Sequence, residues 1–240
     1  MAGRRLARSS RGRSSRRAEH DGWAEAYALG FDSLLDAEAG GDPARWGDSA
    51  RLARDIARAS SSPQAWQPLA LAIRLVGYDA LHAGRLDDAS DGFEASLALC
   101  EQHGDVWSSG ILLTDLAGLR VLQGRLDEAR VCVTKALSHC RTIRDRRGTG
   151  WCLHTLAMLE AAAGRARRAA WLYGAGQAVL DSIGAAGQAH ITQVQDRYLA
   201  PARQTLGDAA FEALANEGRA TPIARILGQD PTYLTISLSH

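Results

Sequence analysis

The sequence predicts an all-α fold, an α-solenoid of stacked helix hairpins closed by a two-helix cap, and three observations lead there. A short phrase returns at one constant interval: "GRLDDA" from Gly84, "GRLDEA" from Gly124 and "GRARRA" from Gly164. On both sides of each phrase, apolar and small residues recur at spacings of three and four, the period of a helix face. Apolar residues make up 46% of the chain and aromatics only 6%, so the core is built largely from Ala and Leu. That composition suits close-packed helices better than a β-sandwich, which draws on β-branched and aromatic residues.

Taken in chain order, residues 1–21 form an Arg- and Ser-rich leader that is expected to be disordered. Positions 1–17 hold seven arginines and no acid, and the leader lacks the apolar run of a secretory signal. The stretch "WAEAYALGFDSLLDAEAGG" then reads as a helix, followed by a second in "WGDSARLARDIARA". There Ala50 and Ala57 stand seven apart, as Ala129 and Ala136 do further on.

Three blocks follow that align without a gap, from Leu71, Ile111 and Trp151. Eleven positions before each glycine stand Ile73, Leu113 and Leu153, and eight before stand Val76, Leu116 and Leu156. Gly77, Ala117 and Ala157 come next, small enough to let two helices approach. Beyond the turn, Ala89, Ala129 and Ala169 lie at plus five, Phe93, Val133 and Tyr173 at plus nine, and Ser96, Ala136 and Gly176 at plus twelve. Each block is therefore a helix, a Gly-Arg turn and a second helix. The glycine suits the left-handed residue that ends a helix. Asp87, Asp88, Asp127 and Glu128 fall in the next helix's first turn, where carboxylates complement exposed N–H groups. No proline interrupts the chain between Pro68 and Pro201. Such a unit cannot bury its apolar face alone, and stacking on its neighbours does so.

The repeats are expected to span 22–183 as about four hairpins, with capping helices over 184–218 and a loose tail over 219–240. In the cap, Ile191, Val194, Tyr198 and Ala202 share a face of one helix, which Pro201 should kink or restart. "DAAFEALANEG" makes the shorter partner. "YLTISL" in the tail has β-like residues but no partner strand.

Charge and chemistry narrow the function classes. The net charge is +1, yet outside positions 1–17 there are 21 basic against 27 acidic residues, so the folded body is mildly acidic and a poor nucleic-acid platform. Only the leader offers weak polyanion contact. No apolar run reaches membrane-spanning length. Cys100, Cys132, Cys140 and Cys152 form no CxxC pair and are expected as free thiols in the cytoplasm. Cys100 and Cys140 share one repeat position with Leu180, which marks it as an apolar slot. His139–Cys140 and Cys152-x-His154 do not have zinc spacing. No GxSxG, HExxH or phosphate-binding glycine loop occurs, so no catalytic residue, cofactor or metal is expected.

These residues resemble the tetratricopeptide repeat (TPR): a small residue after a large apolar one, the Ala five after the turn glycine and the large residue four later. The period from Gly84 to Gly124 to Gly164 is longer than usual and implies extended helices. The resemblance implies a right-handed superhelix of hairpins. "HGDVWSSGILLTDLAGLRVLQGRLDEA", "GRARRAAWLYGAGQAVLDSIGA" and "RYLAPARQTLGDAAFEALANEGRA" are similar, over about 22–220, to the C-terminal TPR region of large ATP-binding bacterial regulators of the LuxR family. The characteristic end segments stand here as Leu172–Ala185 and Leu206–Ala220. The family's GxxxxGK[ST] loop and helix-turn-helix are not found in this chain, so neither ATPase activity nor DNA binding carries over. The resemblance implies a sensor or scaffold part: a cytoplasmic protein-interaction module in regulation, split or truncated from such a regulator. The alternative is a small-ligand sensor that changes shape on binding an effector.

In TPR arrays, partners bind along the first helix of each pair. The positions there that face away from the hairpin core are Arg74, Tyr78 and His82, then Thr114 and Gly118, then Trp151, His154 and Met158. These are the expected contacts for a protein or peptide. Tyr78, Trp151 and Met158 would be apolar anchors and Arg74 a carboxylate clamp.

Overall fold

The computed structural model describes residues 22–37, 39–185 and 189–226. The leader, the end of the tail and "YLTISL" lie outside them. Every regular element among the described residues is a helix, as the repeat predicts. The chain divides between Gly104 and Asp105 into two compact units.

The first unit holds α1 (22–37), α2 (Pro43–Ala59), α3 (Trp66–His82) and α4 (Leu86–Gln102). In α1, Trp23, Tyr27 and Phe31 stack in sequence at i, i+4 spacing, with ring centroids 5.4 and 4.8 Å apart. The Trp23 indole N–H donates to the Gln64 carbonyl at 2.8 Å, tying α1 to the segment that leads into α3. Helices α2 and α3 pack together, as do α3 and α4. Arg51 of α2 reaches Asp79 of α3 at 2.7 Å. The α3–α4 hairpin closes on Phe93, fully buried against Gly77, where a Cβ would stand 2.8 Å from the ring. A buried aromatic of this kind contributes about 1.5–3 kcal/mol, and only glycine opposite it leaves room. In the second copy the same two positions hold Ala117 and the smaller Val133, both buried. The two positions trade volume.

The second unit holds α5 (Val106–Leu122), α6 (Leu126–Ile143), α7 (Arg146–Ala162), α8 (Ala166–Asp181), α9 (Ala189–Leu206), α10 (Asp208–Ala220) and the short α11 (Ile223–Ile226). The hairpins α5–α6 and α7–α8 are the second and third repeat copies, and α6 packs on α7 between them. Helix α7 also touches α5 and α9, so it is surrounded and buried along nearly its whole length. Helices α9 and α10 both pack on α8, as a cap should.

The turns are built as expected, with more regularity than the repeated phrase reveals. Gly84, Gly124 and Gly164 have φ of 75°, 74° and 75°. The N–H of each following arginine donates back to Ala80, Arg120 or Glu160, and the glycine N–H to Leu81, Val121 or Ala161, the paired bonds of a Schellman ending. A second series lies midway: Gly104, Arg144 and Gly184 at φ of 69°, 56° and 66°. A left-handed residue thus follows each helix from α3 to α8 at even intervals. Asp105 and Asp145 then cap α5 and α7, accepting from the Ser108 and Gly148 N–H groups at 3.0 and 2.9 Å. No side chain caps α4, α6 or α8; the acids of α4 and α6 act from within the first turn instead.

Two differences appear at the C-terminal end. A single helix, α9, runs through Pro201, so the helix does not restart there. Residues 219–226, grouped with the loose tail, include the end of α10 and all of α11, with Ile226 only 4% exposed. Helix α11 packs on α8.

The cap is held by backbone, not only by side chains. A Cβ on Gly174 of α8 would overlap the Ala215 carbonyl of α10, and one on Gly218 of α10 would overlap the Trp171 carbonyl of α8. Both glycines stand inside the end segments that carry the regulator resemblance. Their presence there is explained by two helices crossing with their main chains in contact.

Candidate functional site

In the first unit, Arg74, Tyr78 and His82 follow one another at i, i+4 and i+8 on α3, which puts them on one face. The Arg74 guanidinium lies over the Tyr78 ring, 5.2 Å from its centroid, and reaches the hydroxyl at 3.5 Å. Tyr78 also meets Phe93 edge-on at 5.1 Å, so its ring rests on the hairpin core. Arg74 and Tyr78 are half-buried, and His82 at the end of the helix is exposed. The strip offers a cation over an aromatic, with an imidazole one turn beyond.

The second unit treats the equivalent positions differently. Thr114 donates to the Gly110 carbonyl at 2.9 Å and lies 3.4 Å from the Cys152 sulfur, so its hydroxyl is engaged with α7. Gly118 is half-buried with open space where a Cβ would be. Trp151 is half-buried and meets His154 edge-on at 5.9 Å. His154 and Met158 are 3% and 6% exposed, inside the unit rather than on a surface. The His154 ring lies against α8 of its own hairpin, in the space beside Gly176. His154 is stacked on Tyr173 at 5.3 Å. Burial lowers its pKa to about 4, against a weaker pull from a Tyr173 backbone hydrogen bond. At neutral pH it is an uncharged packing residue.

The densest group of charges lies at the α7–α8 turn, where the sequence pattern suggested only capping and surface acids. Glu160 is 1% exposed, and its carboxylate accepts from Arg130 of α6 at 2.8 Å and from Arg165. Arg168 stands 3.7 Å away. Burial pushes the Glu160 carboxyl up, but the hydrogen bonds and charges of Arg165 and Arg130 outweigh it and hold the group below the usual range. Burial pulls the half-buried Arg168 guanidinium down, with Glu160 opposing. Arg165 also gives its backbone N–H to the Glu160 carbonyl at 2.8 Å. The group clamps repeat two to repeat three: Arg130 belongs to one and Glu160 to the next.

Two further features escape a reading of the sequence. Cys140 and Cys152 are both buried, and each perturbs the other's thiol. The only signal was their placement at a helix end and the following helix start. The midway series of left-handed residues was hidden because Arg144 occupies its central place. Among the described residues no group of three or more His, Cys, Asp and Glu side chains is arranged to hold a metal ion. No helix among them is long and apolar enough to cross a membrane.

Comparison with known protein families places a tetratricopeptide repeat match over residues 108–175, from the first turn of α5 into α8. The chain is thus an all-helical repeat protein with a TPR region in its second unit. Such regions are in general non-catalytic scaffolds that bind other proteins. The comparison with curated proteins gave no match.

Proposed function

We propose that the chain is a non-catalytic protein-interaction module of the bacterial cytoplasm, a regulatory part split or truncated from a LuxR-type regulator, and that it holds a peptide or protein segment on the first helix of a hairpin. The observation that carries the reading is the α3 strip. Arg74 lies over Tyr78, 5.2 Å from the ring centroid, pre-set as a carboxylate-binding cation on an apolar base, with the exposed His82 beyond it. Preorganisation of this kind lowers the cost of ordering side chains on binding. In the second unit, Trp151 is half-buried and meets His154 edge-on, and it serves as the aromatic anchor. The regulator origin is supported by the end segments Leu172–Ala185 and Leu206–Ala220, whose Gly174 and Gly218 carry the close crossing of α8 and α10.

The test is capture with the full-length chain from a lysate of the cell that encodes it. An Arg74→Glu, His82→Ala variant should retain its helicity and bind the captured protein at least about tenfold more weakly. Unchanged capture by that variant, or no specific capture by the parent chain, overturns the reading. A neighbouring reading frame with a P-loop or helix-turn-helix would add support for the regulator origin.

A further inference from the structure

Helix α1 has two apolar rows on opposite faces. Ala26, Gly30 and Ser33 recur at spacings of four and three and are buried. They turn inward: a Cβ on Gly30 would stand 3.1 Å from the Leu71 side chain of α3. Displaced from that row by two residues, a little over half a turn, Ala24, Ala28, Phe31 and Leu35 recur at four, three and four. All four are exposed, Phe31 to 40% and Leu35 to 61%. Among the described residues, Phe31 and Leu35 are the two exposed large apolar side chains that stand one turn apart on the same helix. Single exposed apolar residues are ordinary, whereas a charge-free row with this spacing is the seam of a two-helix contact. The row is also graded, with its two alanines toward the N-terminus and its two large residues toward the C-terminus. Against an identical helix running the other way, with the dyad between Leu29 and Gly30, Ala24 faces the partner's Leu35 and Ala28 faces the partner's Phe31. Each layer then holds one small and one large side chain, so the two helices keep a constant separation along the seam. A parallel pair would leave a gap at the alanines and crowd the rings.

We infer that α1 is a self-association site, at which a second copy of this chain pairs its own α1 antiparallel along Ala24, Ala28, Phe31 and Leu35. The site shares no residue with the α3 strip. On one flank of the seam Tyr27 and Leu34 are half-buried and widen the apolar contact. The Tyr27 ring lies between Trp23 and Phe31, at centroid separations of 5.4 and 4.8 Å, so Phe31 is braced before a partner arrives. On the other flank stand Glu25 and Asp32, both exposed. The antiparallel fit sets this flank against the same flank of the partner, so acid meets acid. Like charges there oppose the pairing, and salt screens them. Association along this seam therefore tightens as salt rises. Attachment of the Arg-rich positions 1–17 to an acidic surface of another copy would loosen instead. One helix pair is a small interface, so the pairing is reversible, with a Kd on the order of tens of micromolar.

Sedimentation equilibrium of the full-length chain, from about 1 to 200 µM, reads the association. The expected result is a monomer–dimer equilibrium that tightens at least about twofold between roughly 50 and 500 mM NaCl. Leu35→Arg should weaken it at least about tenfold with helicity unchanged, because Leu35 stands outside the chain's own core. Ala28→Phe sets ring against ring and should weaken it to a similar degree. Adding Phe31→Ala to that variant exchanges the small and large positions, and should restore the parent affinity within about threefold. A parent chain that stays monomeric throughout, a dimer that Leu35→Arg leaves intact, a dimer that loosens with salt, or an exchange that restores nothing overturns the inference. Circular dichroism checks that each variant is folded, and Leu35→Arg decides the question if Ala28→Phe is not.

Discussion

The turns of the second and third repeat copies carry the same three charged positions with one pair reversed. In the second copy Arg120 sits on α5 and Glu128 on α6, 3.7 Å apart, while Arg125 bonds to Glu128 at 2.6 Å in the open. In the third copy the equivalent residues are Glu160, Arg168 and Arg165, and Glu160 and Arg168 are again 3.7 Å apart. Reversing the pair changes what the constant arginine does. Arg125 turns forward onto an acid half-exposed at the surface, whereas Arg165 turns back onto a buried carboxylate. The acid has moved from the outside of the turn to the inside, and Arg130 of the preceding repeat can now reach it. A one-repeat turn has become a two-repeat joint.

That contrast is broken most severely by removing the buried acid. Glu160→Gln leaves Arg130, Arg165 and Arg168 gathered around a neutral amide and should cost about 3–5 kcal/mol in unfolding free energy. The matched change Glu128→Gln should have little effect, because the pair it disrupts is half in water and screened. Urea unfolding of the two variants side by side measures the difference; equal losses would mean the buried joint carries no special weight.

A second difference between the copies lies at Thr114 and His154, which share a repeat position. His154 has an unfolded-state pKa near 6.5 and a folded value of about 4. Above 6.5 both states hold it neutral. Between these values the unfolded chain binds the extra proton, so stability falls as pH drops through the window, by up to about 3 kcal/mol. The lowered Glu160 carboxyl adds its own loss below that range, as its charge is neutralised. A His154→Gln variant should show a flatter stability profile between about pH 6.5 and 4, and an unchanged slope would assign the acid sensitivity elsewhere.

The smallest effect should come from the turn that joins the copies. Gly104 and Gly184 hold the left-handed position without strain, but Arg144 holds it at φ 56° with a side chain. Arg144→Gly should raise the unfolding free energy by about 1 kcal/mol, the cost of a Cβ in that conformation less the added freedom of the unfolded glycine. A thermal melt decides its sign.

The parts of this molecule that were legible in the sequence share a property: their partners lie within one repeat. Gly84, Gly124 and Gly164, the alanines at plus five and the alternation of Gly77 and Phe93 with Ala117 and Val133 are all set by neighbours at fixed offsets, so periodicity exposes them. What escaped depends on a residue from another element. Glu160 looks like a surface acid until Arg130 of the preceding repeat is placed against it. His154 carries the pattern of an outward face and is buried against Tyr173 and Gly176 of α8, and Met158 is buried as well. The strip of Arg74, Tyr78 and His82 was legible because its spacing of one turn lies within a single helix, where Arg74 meets Tyr78 directly.

The crossing of α8 and α10 through Gly174 and Gly218 also gives the array a direction of growth. In the repeats before it, α6 receives the next helix, α7, on its open side; α8 instead meets α9 and α10, and meets α10 main chain to main chain. A further hairpin inserted after α8 would have to displace a fit that tolerates no added methyl group. Duplication of a whole hairpin upstream of α7 leaves that fit untouched. The lineage of this chain is thus expected to vary in repeat number on the N-terminal side of a fixed C-terminal stop.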